Sequence, residues 1–174
     1  MRYVKQFIGK IIVLVALDQV VKLIISKWFM NQEFNIIGNI INFHPKQNTN
    51  LTWGGNFIGI LSNMWVALFL NILVIIVLIS GYSFYRSKKS NSSRSVNILY
   101  IFGMAGAICS LIDKMFWGGS LDFIQISRLF ICDLKDCYLT VAECLFLVNG
   151  LKYEKEISVK EYVEYCFKKG KTDT

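Results

Sequence analysis

The chain has 174 residues, 54% of them hydrophobic and 14% aromatic against 18% charged, with a formal net charge of +7. So large an apolar share exceeds what a soluble domain of this length needs and places the chain in the membrane class. The positive charge does not indicate nucleic acid, because the basic residues flank apolar runs, where they set topology and meet anionic lipid.

In chain order, residues 7–25 are almost all Ile, Val and Leu, broken by Lys10, Asp18, Gln19 and Lys22. At about 1.5 Å per residue this run crosses a hydrocarbon core of roughly 30 Å. An Asp inside the apolar run and the lack of a small-residue cleavage site predict a retained helix rather than a cleaved signal. Residues 28–56 are rich in Asn, with Phe34, Ile36, Ile40 and Phe43 in partial alternation and turn signals at Gly38, Gly54 and Gly55. That pattern predicts short strands or an extended platform at the membrane interface.

Residues 57–79 form a second spanning run, followed by Tyr82, Phe84 and Tyr85, which read as an interfacial aromatic belt beside Arg86. RSKKSNSSR, residues 86–94, is a basic loop. The third run, 96–113, holds Gly103, Ala105, Gly106 and Ala107, small residues that let helices approach closely where apolar burial supplies little drive. The fourth, 134–151, carries Glu143, which needs a partner or water. From 152 to 174, charge alternates with Tyr, Val and Phe, as in a surface helix or a disordered, lipid-facing tail.

Arg2, Lys5 and Lys10, four basic residues in 86–94 and six in 152–174 all fall on one side of a four-helix topology. That side is cytoplasmic by the positive-inside rule, so both termini face the cytoplasm. Residues 28–56 and 114–136 then face outward, which puts the Asp113 end of the third helix and the Asp136 end of the fourth near the outer leaflet.

Asp113 closes one apolar run and Asp136 opens the next, so a hairpin can bring the two carboxyls together. One reading is two interfacial carboxylates paired with the adjacent Lys114 and Lys135. The other is chemical: neighbouring carboxyls cannot both ionise cheaply, so one keeps its proton and the pair can activate water and protonate a leaving nitrogen. Asp18 and Lys22, spaced i to i+4, either neutralise each other or line the same cavity. The five cysteines show neither a paired framework nor metal-ligand spacing and read as small hydrophobes, and His44, the single histidine, reads as structural.

Asp18-Gln19 with Lys22 (DQVVK), then Asn48-Thr49 to Trp53-Gly54 (NTNLTWG), resemble the first two signature regions of the lipoprotein signal peptidase (signal peptidase II) family. Residues 109–114 (CSLIDK), Gly118 and Leu121-Asp122-Phe123 match the spacing of its third signature, and 132–136 (CDLKD) stands at the place of its fourth. The chain departs from the family pattern at Cys109, Ser110, Lys114, Asp133 and Lys135, and at Asn50, which makes it a divergent member. The resemblance spans nearly the whole chain. It implies an all-α integral membrane protein of four transmembrane helices with a small extracytoplasmic β-cradle at 28–56. It also implies an intramembrane aspartic endopeptidase that cleaves diacylglyceryl-modified prolipoproteins before the modified Cys.

By the same resemblance Asp113 and Asp136 are the catalytic pair, and Asp18, Lys22, Asn48, Gly54, Ser110 and Asp133 arrange substrate and pair, with Lys114 and Asp122 supporting the turn. Neither a metal nor another cofactor is expected, the partners are prolipoproteins and membrane lipids, and the chain is expected to act as a monomer in the bacterial cell membrane. A non-catalytic lipoprotein-binding paralogue is the alternative. A proton-coupled transporter relaying through Asp18, Glu143 and Asp136 is weaker, because the helices show no inverted repeat.

Overall fold

The computed structural model describes residues 5–38, 40–49, 63–89, 93–127, 129–153 and 158–172. Their order is α1 (Ile8–Ile24) running into a π-helical turn (Ile25–Phe29), β1 (Phe34–Ile37), β2 (Ile41–Asn48), α2 (Met64–Lys88), and α3 (Arg94–Ile112) running into a second π-helical turn (Asp113–Trp117). Then come β3 (Ser120–Ile126), β4 (Phe130–Cys132), α4 (Leu134–Tyr153) and α5 (Val159–Thr172). The described residues are mostly helical, with one small antiparallel sheet.

α3 is the central helix, packed by α1, α2 and α4. Its small residues are the reason: a Cβ on Gly106 would come within 2.7 Å of Leu139 Cγ, and one on Gly103 within 3.3 Å of Leu78 Cδ2. Side-chain volume is missing where α3 meets α4 and α2, so the helices approach closely and dispersion contacts replace the absent hydrophobic drive. Toward the other end of the bundle an aromatic core takes over, with Phe7, Tyr82, Tyr85, Tyr100 and Tyr138 buried together. Tyr82 stacks on Tyr100 at 4.5 Å between ring centroids. Tyr82, Phe84 and Tyr85 are therefore not a lipid-facing belt as expected; each finds aromatic partners inside the protein. α2 begins on Asn63, whose side-chain oxygen accepts from the Trp65 amide at 2.9 Å, a helix N-cap.

The outward faces are apolar. Ile12, Val13, Leu17 and Val20 on α1, Phe69, Ile72 and Ile76 on α2, and Phe146, Leu147, Val148 and Leu151 on α4 are all exposed. So continuous a greasy surface suits hydrocarbon, not water, as its solvent. α2 and the Arg94–Trp117 run are long and apolar enough to cross a membrane.

The sheet has strand order β1-β2-β3-β4. Gly38, at φ 50, makes the tight return from β1 toward β2, a backbone region open mainly to glycine. Pro45 lies between the two registered stretches of β2 and β3, Phe43 opposite Ile124 and Lys46 opposite Asp122, and its missing N–H accounts for the irregularity there. Strands were expected only within 28–56; half of the sheet comes from 120–132 instead. The alternation there is hidden because Leu121, Asp122 and Phe123 are all buried, against helix ends on one face and a polar cluster on the other.

α5 packs against the far end of α2. Tyr162 Oη lies 2.7 Å from Ser80 Oγ, the Phe84 ring meets Tyr162 and Tyr165, and Lys88 pairs with Glu161 at 3.2 Å. The tail beyond α4 thus has a docked helix where the sequence left a surface helix or a disordered end open.

Candidate active site

Three helix ends and two strands converge at the sheet end of the bundle. α4 begins with a reciprocal cap: the Asp136 amide donates to Asp133 Oδ1 at 3.1 Å and the Asp133 amide donates to Asp136 Oδ2 at 3.2 Å. Two acidic side chains three residues apart satisfy backbone donors that the first turn leaves free, and their charge suits the positive end of the helix dipole. The Lys135 amide donates to Asp18 Oδ1 of α1 at 3.2 Å, which ties α1 to the same helix start. Asp113 sits where α3 widens into its π-helical turn and is 1% exposed. Gly118 at φ 64 and Gly119 at φ 154 then reverse the chain, and a Cβ on Gly119 would collide with the Asn48 carbonyl. That close approach lays the end of β2 beside Ser120 and Asp122.

Two ammonium groups organise the carboxyls. Lys22 is wholly buried and directs its three N–H donors to Asp113 Oδ2 at 2.6 Å, Asp133 Oδ2 at 2.6 Å and Asp18 Oδ2 at 3.0 Å. Lys135 Nζ lies 2.7 Å from Asp133 Oδ2 and 2.7 Å from Ser120 Oγ. It is also 3.5 Å from Asp113 Oδ2, 3.5 Å from Asp136 Oδ1 and 3.9 Å from Asp122 Oδ1. The Asp122, Asp133 and Asp136 carboxylates are close enough together to hold a cation, and Lys135 supplies one among them. The Ser120 hydroxyl faces Asp133 Oδ2 at 2.9 Å, with Asp113 Oδ2 at 3.3 Å as a second acceptor.

Gln19 orients Asp113 from the other side. Its Nε2 donates to Asp113 Oδ1 at 3.2 Å and to Asp18 Oδ2 at 3.0 Å, while its Oε1 accepts from Trp117 Nε1 at 3.1 Å, which fixes which end of the amide faces the carboxylate. Asn48 Nδ2 donates to Asp122 Oδ2 at 2.9 Å. Burial pushes the Asp122 carboxyl above its ordinary range, partly offset by the hydrogen bonds from Asn48 and Ser120. Burial acts in the same sense on Asp133, but Lys135 and Lys22 outweigh it and hold that carboxyl below its ordinary value.

A cavity of about 660 Å³ opens onto this cluster. Asp113, Asp136, Asn48, Ser110, Lys114 and Asp122 line it, with Phe130, Ile131 and Leu139 as its apolar wall. Asp18, Lys22 and Asp133 are buried behind that lining and reach it through Asp113, Ser120, Lys135 and Asp136. Lys114 bonds the Ser110 hydroxyl one turn back along its own helix. Asp122, expected to support a turn, lies on β3, and Gly54 falls outside the described residues. Sequence reasoning gave no site role to Ser120, Gln19, Trp117 or Lys135. Gln19 and Lys135 stood inside quoted motifs and could have been found there, whereas Ser120 has no signal beyond following the Gly-Gly turn.

A carboxyl pair sharing a cavity with a hydroxyl, an ammonium and an apolar wall can hydrolyse a bond in an extended, partly apolar substrate with water as the nucleophile and no covalent intermediate on the protein. The comparisons with known proteins agree with that chemistry. A family model described as Signal peptidase (SPase) II matches residues 10–152. Proteins called lipoprotein signal peptidase in Staphylococcus aureus strains JH9 and Newman are each 30% identical to the chain over 167 residues, which is 90% of this chain and 97% of theirs. A bacterial membrane enzyme solved by the in meso method at 2.3 Å shares its fold, with a TM-score of 0.70 at 24% identity over 89% of this chain and 93% of that one. A second, solved at 1.9 Å, gives a TM-score of 0.63 at 27% identity over 84% of this chain and 95% of its own.

Proposed function

Because the chain belongs to the signal peptidase II family, a membrane protease that removes signal peptides from prolipoproteins, we propose that Asp113 and Asp136 are its catalytic pair. The observation that carries this assignment is that both carboxyls line the same cavity while a single ammonium, Lys135 Nζ, lies 3.5 Å from each. The reaction is hydrolysis of the peptide bond before the diacylglyceryl-modified Cys. The ionised member of the pair takes a proton from water, whose oxygen attacks the scissile carbonyl carbon, while the protonated member gives its proton to the carbonyl oxygen. Collapse of the tetrahedral gem-diol breaks the C–N bond: one carboxyl gives its proton to the departing nitrogen while the other carboxylate takes a proton from a hydroxyl of the gem-diol, so the pair returns to one shared proton.

The surrounding residues have positioning roles. Lys22 and Gln19 hold Asp113, Asp18 ties α1 to the start of α4, and the Asp133 cap aims Asp136. Asn48 and Asp122 form the sheet side of the cleft, Ser110 and Lys114 the α3 side.

α1 and α4 carry too many charges to read as simple spans, but Asp18 and Lys22 on α1 and Lys135 and Asp136 on α4 belong to the cluster, while the outward faces are mostly Ile, Val, Leu and Phe. Four crossings by α1 to α4, one membrane domain, is therefore the reading that matches solvent to surface. Trp28, Trp65 and Phe116 are exposed at the sheet end, as an interfacial aromatic girdle would be. Lys88, Lys89, Arg94 and Lys152 lie at the other end of the helices, which supports cytoplasmic termini, a sheet facing outward as the cradle, and an enzyme working at the outer leaflet of the cell membrane.

The assay is cleavage of a diacylglyceryl-modified prolipoprotein by the purified enzyme in detergent micelles. Asp113→Asn and Asp136→Asn are each expected to lose at least about 100-fold in kcat, the scale of general acid–base catalysis. Turnover by either variant within a few-fold of wild type would remove that residue from the pair.

A further inference from the structure

Of the two ammonium groups in the cluster, Lys22 lies behind the cavity lining, whereas Lys135 stands in it. Lys135 is not free to swing: its Nζ is anchored by Asp133 Oδ2 and Ser120 Oγ, both at 2.7 Å, and its side chain is 10% exposed. From that fixed point it is equally distant from the two carboxyls of the reacting pair. A lysine against a serine hydroxyl could suggest a serine nucleophile. Four carboxylates within 3.9 Å keep Lys135 as the ammonium, which has no lone pair to receive the Ser120 proton.

Resting on the assignment of Asp113 and Asp136 as the pair, we propose that Lys135 is a positioning residue that bridges their carboxylates and sets the pH range over which the pair holds its single shared proton. A cation between two carboxylates favours the doubly ionised state, and that state cannot protonate a substrate oxygen or a leaving nitrogen. Lys135 therefore draws the active, singly protonated form toward lower pH. The other charged groups facing this point are Asp18 and Lys22 from α1, Lys114 from the turn after α3, Asp122 from β3, and Asp133 at the α4 start, with Glu143 further along α4 in the same cavity. All of these remain when Lys135 alone is changed, so the difference reports the bridge.

The test is the pH profile of kcat/KM, on the same lipid-modified substrate, for the wild type, Lys135→Met, Lys135→Arg, Asp133→Asn and the charge-balanced Asp133→Asn/Lys135→Met. Both limbs of the bell are expected to move up by about one to three pH units from wild type to Lys135→Met, and likewise from Asp133→Asn alone to the double variant, because loss of the Asp133 charge by itself moves the pair the other way; that is the range an opposite charge within about 4–6 Å imposes on a carboxyl. Lys135→Arg keeps the charge and is expected to leave the limbs within about half a unit of wild type. The balanced double variant guards against misfolding, because an asparagine in place of Asp133 can still cap α4 and accept from Lys22. Unmoved limbs in both comparisons overturn the proposal, and so does loss of turnover at every pH in both Met variants, since a tuning cation cannot be essential. Activity in Asp113→Asn or Asp136→Asn would instead overturn the pair itself, so the two failures are told apart.

Discussion

Lys22→Met is the most informative stability change. Lys22 has no solvent exposure and its three N–H donors go to three carboxylates, at 2.6, 2.6 and 3.0 Å. Methionine matches the stem volume, so the change removes charge and hydrogen bonds while leaving no large void. What stays behind is three buried carboxyls without their shared cation; Asp133 keeps Lys135 and Asp113 keeps Gln19, while Asp18 keeps Gln19 and the Lys135 amide, neither of them charged. Breaking a buried ion pair by removing one partner costs about 3–5 kcal/mol. At roughly 2–4 °C per kcal/mol for a chain of this size, the melting temperature should fall by about 6–20 °C. Thermal unfolding of wild type and variant, in the same detergent and at pH 7, reads this directly. A fall of less than about 2 °C would refute the reasoning, because the cluster would then be rearranging or taking up protons at little cost.

Asp133→Asn should destabilise the protein at neutral pH with a defined sign. A carboxyl held below its ordinary pKa contributes stability that is fully present above the unfolded value of 3.8 and is lost as pH falls through the folded value beneath it. The gap in melting temperature between variant and wild type should thus be steady from pH 7 to 5 and close only below about pH 4; a gap that closes by pH 5 would contradict the assignment. Gly106→Val should cost about 1–3 kcal/mol as an overpacked contact, since even a Cβ meets Leu139 at 2.7 Å. It should also reduce kcat more than it raises KM, because the proposed pair sits at the end of α3 and the start of α4, and steady-state kinetics beside a melting curve would check both.

The sequence by itself determined the solvent, the long helical runs and the family. Apolar runs interrupted by basic clusters dictate a membrane protein, because backbone donors in hydrocarbon must be satisfied within helices. The acidic residues at the ends of the third and fourth runs marked where the buried polar cluster forms, and the DQVVK and NTNLTWG stretches pointed to a family that the comparisons bear out. Gly103 and Gly106 already signalled a close helix contact, which the packing of Leu78 and Leu139 against them makes concrete.

Only the tertiary structure decided the partners. Lys135 and Asp133 look in the sequence like a local pair that cancels its own charge; in space Lys135 also stands between Asp113 and Asp136, and Lys22 reaches Asp133 across the bundle. Likewise Ser120 and Asp122 gain their places from β3 pairing with β2, residues 120–126 against 41–48, a register that local patterning could not show through a stretch buried on both faces. The physical reason is one of range. Hydropathy and helix spacing act over a few residues and can be read along the chain, whereas the proton affinity of a carboxyl is set by charges within about 4–6 Å in space, which here come from α1, α3, β3 and α4 together.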